Sequence, residues 1–283
     1  MTLEHVQMVD QRPSLRALLI PQPTPWRFVA LLACGIALGW VIVAWARLPI
    51  WGASILALAL IAWPTLQTWR SVGLHFEMPI MVLSILLYLQ GFHFIEHIAQ
   101  YIEFHVLHWP PRQATGLLSG LNVEIVHFVW NWSVLIVAVY LLRARLRSGP
   151  GNLWGWLFVG WALAHTAEHT YLMYQYIAKV WVLWATGASL SFAEGLPGVL
   201  GNRGWLETHA DTNAVASFVC RLVPSVTFTP RLDVHFWWNV GETILMLAFA
   251  YGALRRVWGR TTGEISNASP AANQANYRLT KGR

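Results

Sequence analysis

Charge is scarce in this sequence. Asp, Glu, Lys and Arg make up 11% of its 283 residues, where a soluble domain carries about 25%. Hydrophobic residues fill 56% of the chain instead. Several apolar runs reach about 20 residues, the length that crosses a bilayer, so a polytopic membrane protein is expected. Cysteine is nearly missing. Cys34 falls in an expected span and Cys220 in an expected external loop, which leaves no disulfide framework or thiolate metal site. Residues 1–25 (MTLEHVQMVDQRPSLRALLIPQPTP) lack the sustained apolar core of a cleavable signal peptide and read as a cytoplasmic leader. Residues 259–283 lack aromatics almost entirely and read as a disordered cytoplasmic tail. The net charge of +6 does not signal nucleic acid, because the basic residues flank apolar spans and report topology.

What is present in quantity is tryptophan and long apolar segments. Six helical spans are predicted at 26–46, 50–70, 78–104, 122–145, 152–182 and 232–257. Pro49, Pro79, Pro110, Pro111 and Gly149-Pro150-Gly151 punctuate their ends. Many of the 18 tryptophans, among them Trp40, Trp45, Trp51, Trp109, Trp181 and Trp184, sit near span ends, as interfacial belts require. Arg12, Arg16, Arg27, Arg70, Arg143, Arg145 and Arg147 share one side with Arg255, Arg256 and the tail cations. Arg47, Arg112, Lys179, Arg203, Arg221 and Arg231 take the other. The positive-inside rule then places both termini in the cytoplasm and the loops 105–121 and 183–231 outside, in an inner or plasma membrane.

The histidines carry an internal repeat. A shift of 72 residues lays His93, Glu96 and His97 on His165, Glu168 and His169. A shift of 108 lays VHFVWN (126–131) on VHFWWN (234–239), matching His127 to His235 and Asn131 to Asn239. TGLLSG (115–120) and PGVLGN (197–202) are related loop segments. The expected fold is therefore all-α. Two scaffold helices (26–70) precede two parallel helical-hairpin repeats, 78–147 and 152–258, the second with a long external loop at 183–231.

Depth and spacing bring these residues to one place. His93 lies about 15 residues up span three, roughly 22 Å at about 1.5 Å per residue. His127 lies near the outer start of span four, His165 and His169 high on span five, and His235 at the start of span six. Positions i, i+3 and i+4 share a helix face, so each His-x-x-Glu-His points one way. Six imidazoles buried at one depth without a cation or a dense hydrogen-bond network would cost several kcal/mol per group, on the order expected for buried ionisable groups. A centre of two transition-metal ions is not needed for any one histidine, but it accounts for all six. One ion is expected on His93, His97 and His127, the other on His165, His169 and His235. Glu96 and Glu168 are candidates as bridging ligands, imidazole partners or bases. Asn131 and Asn239 are candidates for holding ligands or a bound water. Glu242, with Val134 at its repeat position, is a candidate proton-relay carboxylate that makes the two ions unequal. Iron, copper and zinc all suit such a set.

The His-x-x-Glu-His motif resembles the inverted zinc-protease signature, in which the Glu is a general base. The arrangement also resembles the histidine-box membrane hydroxylases and desaturases, although their His-x-x-His-His boxes are absent, and the bis-histidine haem of b-type membrane cytochromes. These resemblances imply an intramembrane zinc hydrolase, a dinuclear oxidoreductase or a haem electron carrier respectively. Metal transport or assembly is a further alternative. The favoured expectation is an oxidoreductase acting on a lipophilic substrate, with a redox partner and the lipid bilayer as its surroundings and no nucleic acid. Glu103, His105 and His108 are expected at the outer membrane edge, and His209 and Asp211 in solvent. Phe192, Leu196, Val199, Leu200 and Trp205 are expected to form a lid. Tyr88, Tyr101, Tyr171, Tyr174 and Tyr176 are expected mainly as packing residues, and His75 and Glu77 as solvated ones.

Overall fold

A computed structural model describes residues 15, 18, 25–46, 50–75, 78–118, 123–146, 153–189 and 195–267. Among these residues the chain is helical and contains no strand. The long helices are α1 (Pro25–Ala46), α2 (Ile50–His75), α3 (Met78–His105), α4 (Glu124–Leu146), α5 (Leu153–Ala185) and α9 (Arg231–Asn267). They occupy the six predicted segments. The long loop is not irregular throughout: it contains the short helices α6 (Trp205–Thr208), α7 (Ala214–Leu222) and α8 (Ser225–Phe228). Asn213 caps α7, its side chain accepting from the Val215 and Ala216 amides, which satisfies two donors that a helix start leaves open.

Proline and backbone geometry set the other boundaries. Pro25 begins α1 and Pro79 lies in the first turn of α3, where a missing N–H costs nothing. His108 adopts a left-handed conformation (φ 55°), and the Trp109 amide reaches back to the Glu103 carbonyl at 2.9 Å. α3 ends at His105, and the left-handed residue three positions on turns the chain away from the helix axis. The last helix runs to Asn267, which makes helical backbone of residues 259–267, expected as the start of a disordered tail. The leader up to residue 14, residues 268–283, Glu77, Phe192 and the His75 side chain lie outside the described residues.

Helices α3, α4, α5 and α9 close a ring in which α3 touches α4, α4 packs on α5, α5 on α9 and α9 on α3. The α1–α2 pair packs on itself and meets the ring through α2 and α3. One half of the ring is filled by a dry core that includes Leu83, Leu87, Val134, Leu141, Phe158 and Phe249. The outer surface is also apolar: Val129, Ile136, Trp156, Leu163 and Ile244 are all more than half exposed. Ser84, Gln90, Asn131, His165, Asn239 and Glu242 are buried inside. Polarity is thus inverted relative to a water-soluble bundle.

Six membrane-crossing helices were expected. Among the described residues, Met78–His105 and Glu124–Ala144 are long and apolar enough to cross a membrane, while Val29–Gly39 and Ile55–Gln67 form shorter apolar stretches. In α5 and α9 the polar residues His165, Glu168 and His169, and His235, Asn239 and Glu242, interrupt otherwise apolar helices.

Candidate metal centre

All six histidines predicted as ligands meet inside the ring. Potential ligand atoms of His93, His97 and His127 lie within 4.8 Å of one another, and so do those of His165, His169 and His235. The pairs at i and i+4 sit one turn apart on α3 and on α5, while α4 and α9 each supply the third ring. The two triads touch. His127 stacks on His169 with centroids 5.4 Å apart, and His97 lies 5.3 Å from His235. Six imidazoles therefore form one cluster with two lobes.

The donor atoms fit a cation. In the second triad, Nε2 of His165, His169 and His235 is buried without a hydrogen-bond partner. Buried polar atoms are rarely left unpaired, and neutral imidazole nitrogen is a common ligand for divalent transition metals. In the first triad Nε2 of His93 and of His97 converge to 3.2 Å. Each triad could hold a metal ion.

Indoles brace the rings. Trp130 lies 5.1 Å from His93, and Trp238 stacks on His165 at 5.3 Å with an 8° interplanar angle. Asn131 donates to the His127 carbonyl at 2.9 Å, and Asn239 donates to the His235 carbonyl at 3.0 Å. The asparagines therefore hold the backbone of a triad histidine rather than an imidazole. Asn239 Oδ1 accepts from Gln90 at 3.3 Å, whereas Asn131 Oδ1 is buried without a partner.

Glu96 and Glu168 are placed differently from expectation. Glu96 accepts from the Leu117 and Leu118 amides at 3.0 and 2.8 Å. Glu168 accepts from the Val199 and Leu200 amides at 2.9 and 3.3 Å. Both oxygens of each carboxylate are engaged by a loop, and neither residue belongs to a triad. A Cβ on Gly116 (φ 77°) or on Gly198 would collide with the carboxylate beneath it, so glycine allows the loop to settle onto the acid. The grip extends about two turns further along each helix. Glu103 accepts from the Gly116 amide at 2.7 Å, and Gln175 donates to the Pro197 carbonyl at 2.7 Å. Glu103, expected at the membrane edge, is in fact buried.

Outer partners of the imidazoles differ between triads. His97 Nδ1 pairs with Gln100 Oε1 at 2.8 Å, and His127 Nδ1 faces the Val123 carbonyl at 3.2 Å. Both partners are neutral. In the second triad, His165 Nδ1 donates to Glu242 Oε2 at 2.9 Å, and His169 Nδ1 faces Glu124 Oε2 at 3.8 Å. Glu124 is also paired with Arg231. Gln90 ties the lobes together by donating to Glu242 at 3.4 Å and accepting from Trp130 at 3.1 Å. Glu124, Gln100 and Gln90 are absent from the histidine repeat. Their repeat positions hold Leu232, Leu172 and Ala162, so matching the two halves passes over them.

The remaining candidates are peripheral. His105 pairs with Asp233 at 2.5 Å on the outside of α3 and α9. His209 turns its Nδ1 toward the Trp205 carbonyl at 2.9 Å, and Asp211 is exposed. Tyr101 packs between His105 and Phe236, while Tyr174 is exposed. Cys34 and Cys220 are free thiols. Comparison with family models, curated proteins and solved structures finds no match for this chain.

Proposed function

We propose that this chain is an integral membrane metalloprotein with two transition-metal ions in adjacent three-histidine sites, acting as an oxidoreductase on a lipophilic substrate. One observation carries the metal assignment. Two buried triads lie side by side, and the second presents three inward nitrogens without protein partners. His93, His97 and His127 would hold one ion, and His165, His169 and His235 the other. Bound there, iron or copper would supply paired one-electron chemistry, with dioxygen as the oxidant. The chain's own part is to hold the rings, seal them from water with the two clamped loops, and exclude bulk solvent by the dry core below.

The inverted polarity of the bundle supports a bilayer as its surroundings. The charge distribution supports cytoplasmic termini and a site toward the outer face of an inner or plasma membrane. Paired contacts support the duplicated hairpin: Glu96 and Glu168 clamp matching loop residues, and Trp130 and Trp238 pack against matching histidines. For the substrate class, the support is an open, mostly apolar pocket of about 350 Å³ whose lining includes Trp161, Val234, Trp237 and Trp238, with Ser225 and Thr229 as its polar members. Trp238 is also the ring stacked on His165, so an apolar molecule in that cavity would lie one indole from the second triad.

The alternatives fit the geometry less well. Imidazoles packed at centroid distances of 4.6–6.1 Å across the cluster leave no slot for a haem plane. A proteolytic base is not available from Glu96 or Glu168, whose oxygens are taken up by backbone amides. The dry core beneath the histidines opposes an ion path. Elemental analysis of detergent-purified protein tests the metal assignment: about two ions per chain are expected, from the two ligand sets, and loss of both in His97→Ala/His169→Ala. Less than half an ion in protein purified without chelators would overturn it. Oxygen uptake by proteoliposomes supplied with an alkyl quinol tests the redox assignment, and uptake equal in wild type and the double variant would remove it.

A further inference from the structure

The two triads have the same ligand set but different electrostatic support. In the second, Glu242 is 1% exposed, and its Oε1 is buried without a hydrogen-bond partner. Its Oε2 meets His165 Nδ1 and the Gln90 amide. Among the described contacts no lysine or arginine faces it, so this buried carboxylate lacks a cation of its own. Glu124 stands at 3.8 Å from His169, and its charge is offset by Arg231. The first triad has the Gln100 amide and the Val123 carbonyl as outer partners, and Val134 where Glu242 would fall. His93 is only partly buried, while His165, His169 and His235 are all buried, at 0, 1 and 7% exposure.

Resting on the dinuclear reading above, we infer that the two sites are unequal: Glu242 makes the second triad the tight, retained site, and the first triad is the weaker, exchangeable one. A carboxylate accepting from the far nitrogen of a ligand histidine fixes its tautomer and raises its basicity. It also cancels part of the ion's charge in a region where water cannot. Neutral amide and carbonyl partners fix the tautomer but cancel no charge. Glu242 is thus a positioning and charge-balancing residue for one site only, acting through His165. Partial exposure of His93 gives the first ion a route to exchange.

Zinc titration of the chelator-stripped full chain, against a competing chromophoric chelator, tests this. Zinc is redox-silent and favours imidazole. Two classes of site are expected, differing by about 10–100-fold, the usual effect of an outer partner. Glu242→Gln should weaken the tight class by about 10-fold or more and leave the other unchanged. Gln100→Glu, a near-isosteric exchange beside His97, should strengthen the weak class and narrow the gap. It keeps the test decisive where Glu242→Gln fails to fold. Equal affinities in the wild type, or loss of the tight class in His93→Ala, would overturn the inference while leaving two metal sites. No zinc bound at either triad would remove the dinuclear reading itself.

Discussion

The two histidine triads are built from the same parts in the same order, yet their surroundings diverge. His93 and His165 each have an indole on one face, and His127 and His235 each have their carbonyl held by an asparagine one turn on. Behind the rings, the first triad has Gln100 and a carbonyl where the second has Glu242 and Glu124. Ligand geometry and ligand electrostatics are therefore set by separate residues. The first set repeats along the chain; the second does not.

The largest expected effect breaks one lobe and spares the other. His165→Ala/His169→Ala should lower metal content from about two ions to about one, because the first triad draws no ligand from α5; mass spectrometry of the intact protein reads this directly. Next comes a change of opposite sign in two states. Glu242→Gln removes a buried, incompletely paired charge, so the metal-free protein should gain about 1–3 kcal/mol. The metal-loaded protein should lose its tight-site stabilisation. Thermal unfolding with and without metal would expose a merely structural glutamate, for which both melting points would move together.

A third test separates loop clamping from ligation. Glu96→Gln and Glu168→Gln each replace charge-assisted bonds to amides by weaker ones, costing about 1–3 kcal/mol of stability. Metal content should stay at two ions, and loss of an ion in either variant would restore these acids as ligands. The smallest contrast is between the asparagines. Asn239→Leu removes one of the two acceptors of the Gln90 amide as well as freeing a carbonyl, whereas Asn131→Leu also removes an oxygen that already lacks a partner. The first should therefore cost about 1 kcal/mol more than the second by urea unfolding.

Much of the centre is legible in the sequence because its geometry is periodic. The i, i+4 spacing of His93 with His97 and of His165 with His169 fixes a shared face, and the shifts of 72 and 108 residues pair the third ligands. Helix positions are equally legible, since apolar runs bounded by proline and basic residues locate them to a few residues. What stayed hidden depends on contacts between elements. Glu96 sits on the ligand face by spacing, yet its carboxylate reaches up to a loop 21 residues later. Glu124 opens α4 and meets Arg231 and His169 only because α4, α5 and α9 converge. Gln100 and Gln90 lack repeat counterparts, so a search for symmetry discards them. The TGLLSG and PGVLGN segments were the one available signal for the clamps, because each supplies the glycine that lets a loop approach an acid.

The single-sided placement of Glu242 has a genetic consequence. Two identical hairpins assembled as a homodimer would carry every side chain twice, so a carboxylate behind one cluster of histidines would always imply another behind its mate. Joining both hairpins in one reading frame lifts that restriction. Position 134 can stay valine in the dry core while position 242 becomes an acid, and each half can accumulate changes the other does not share.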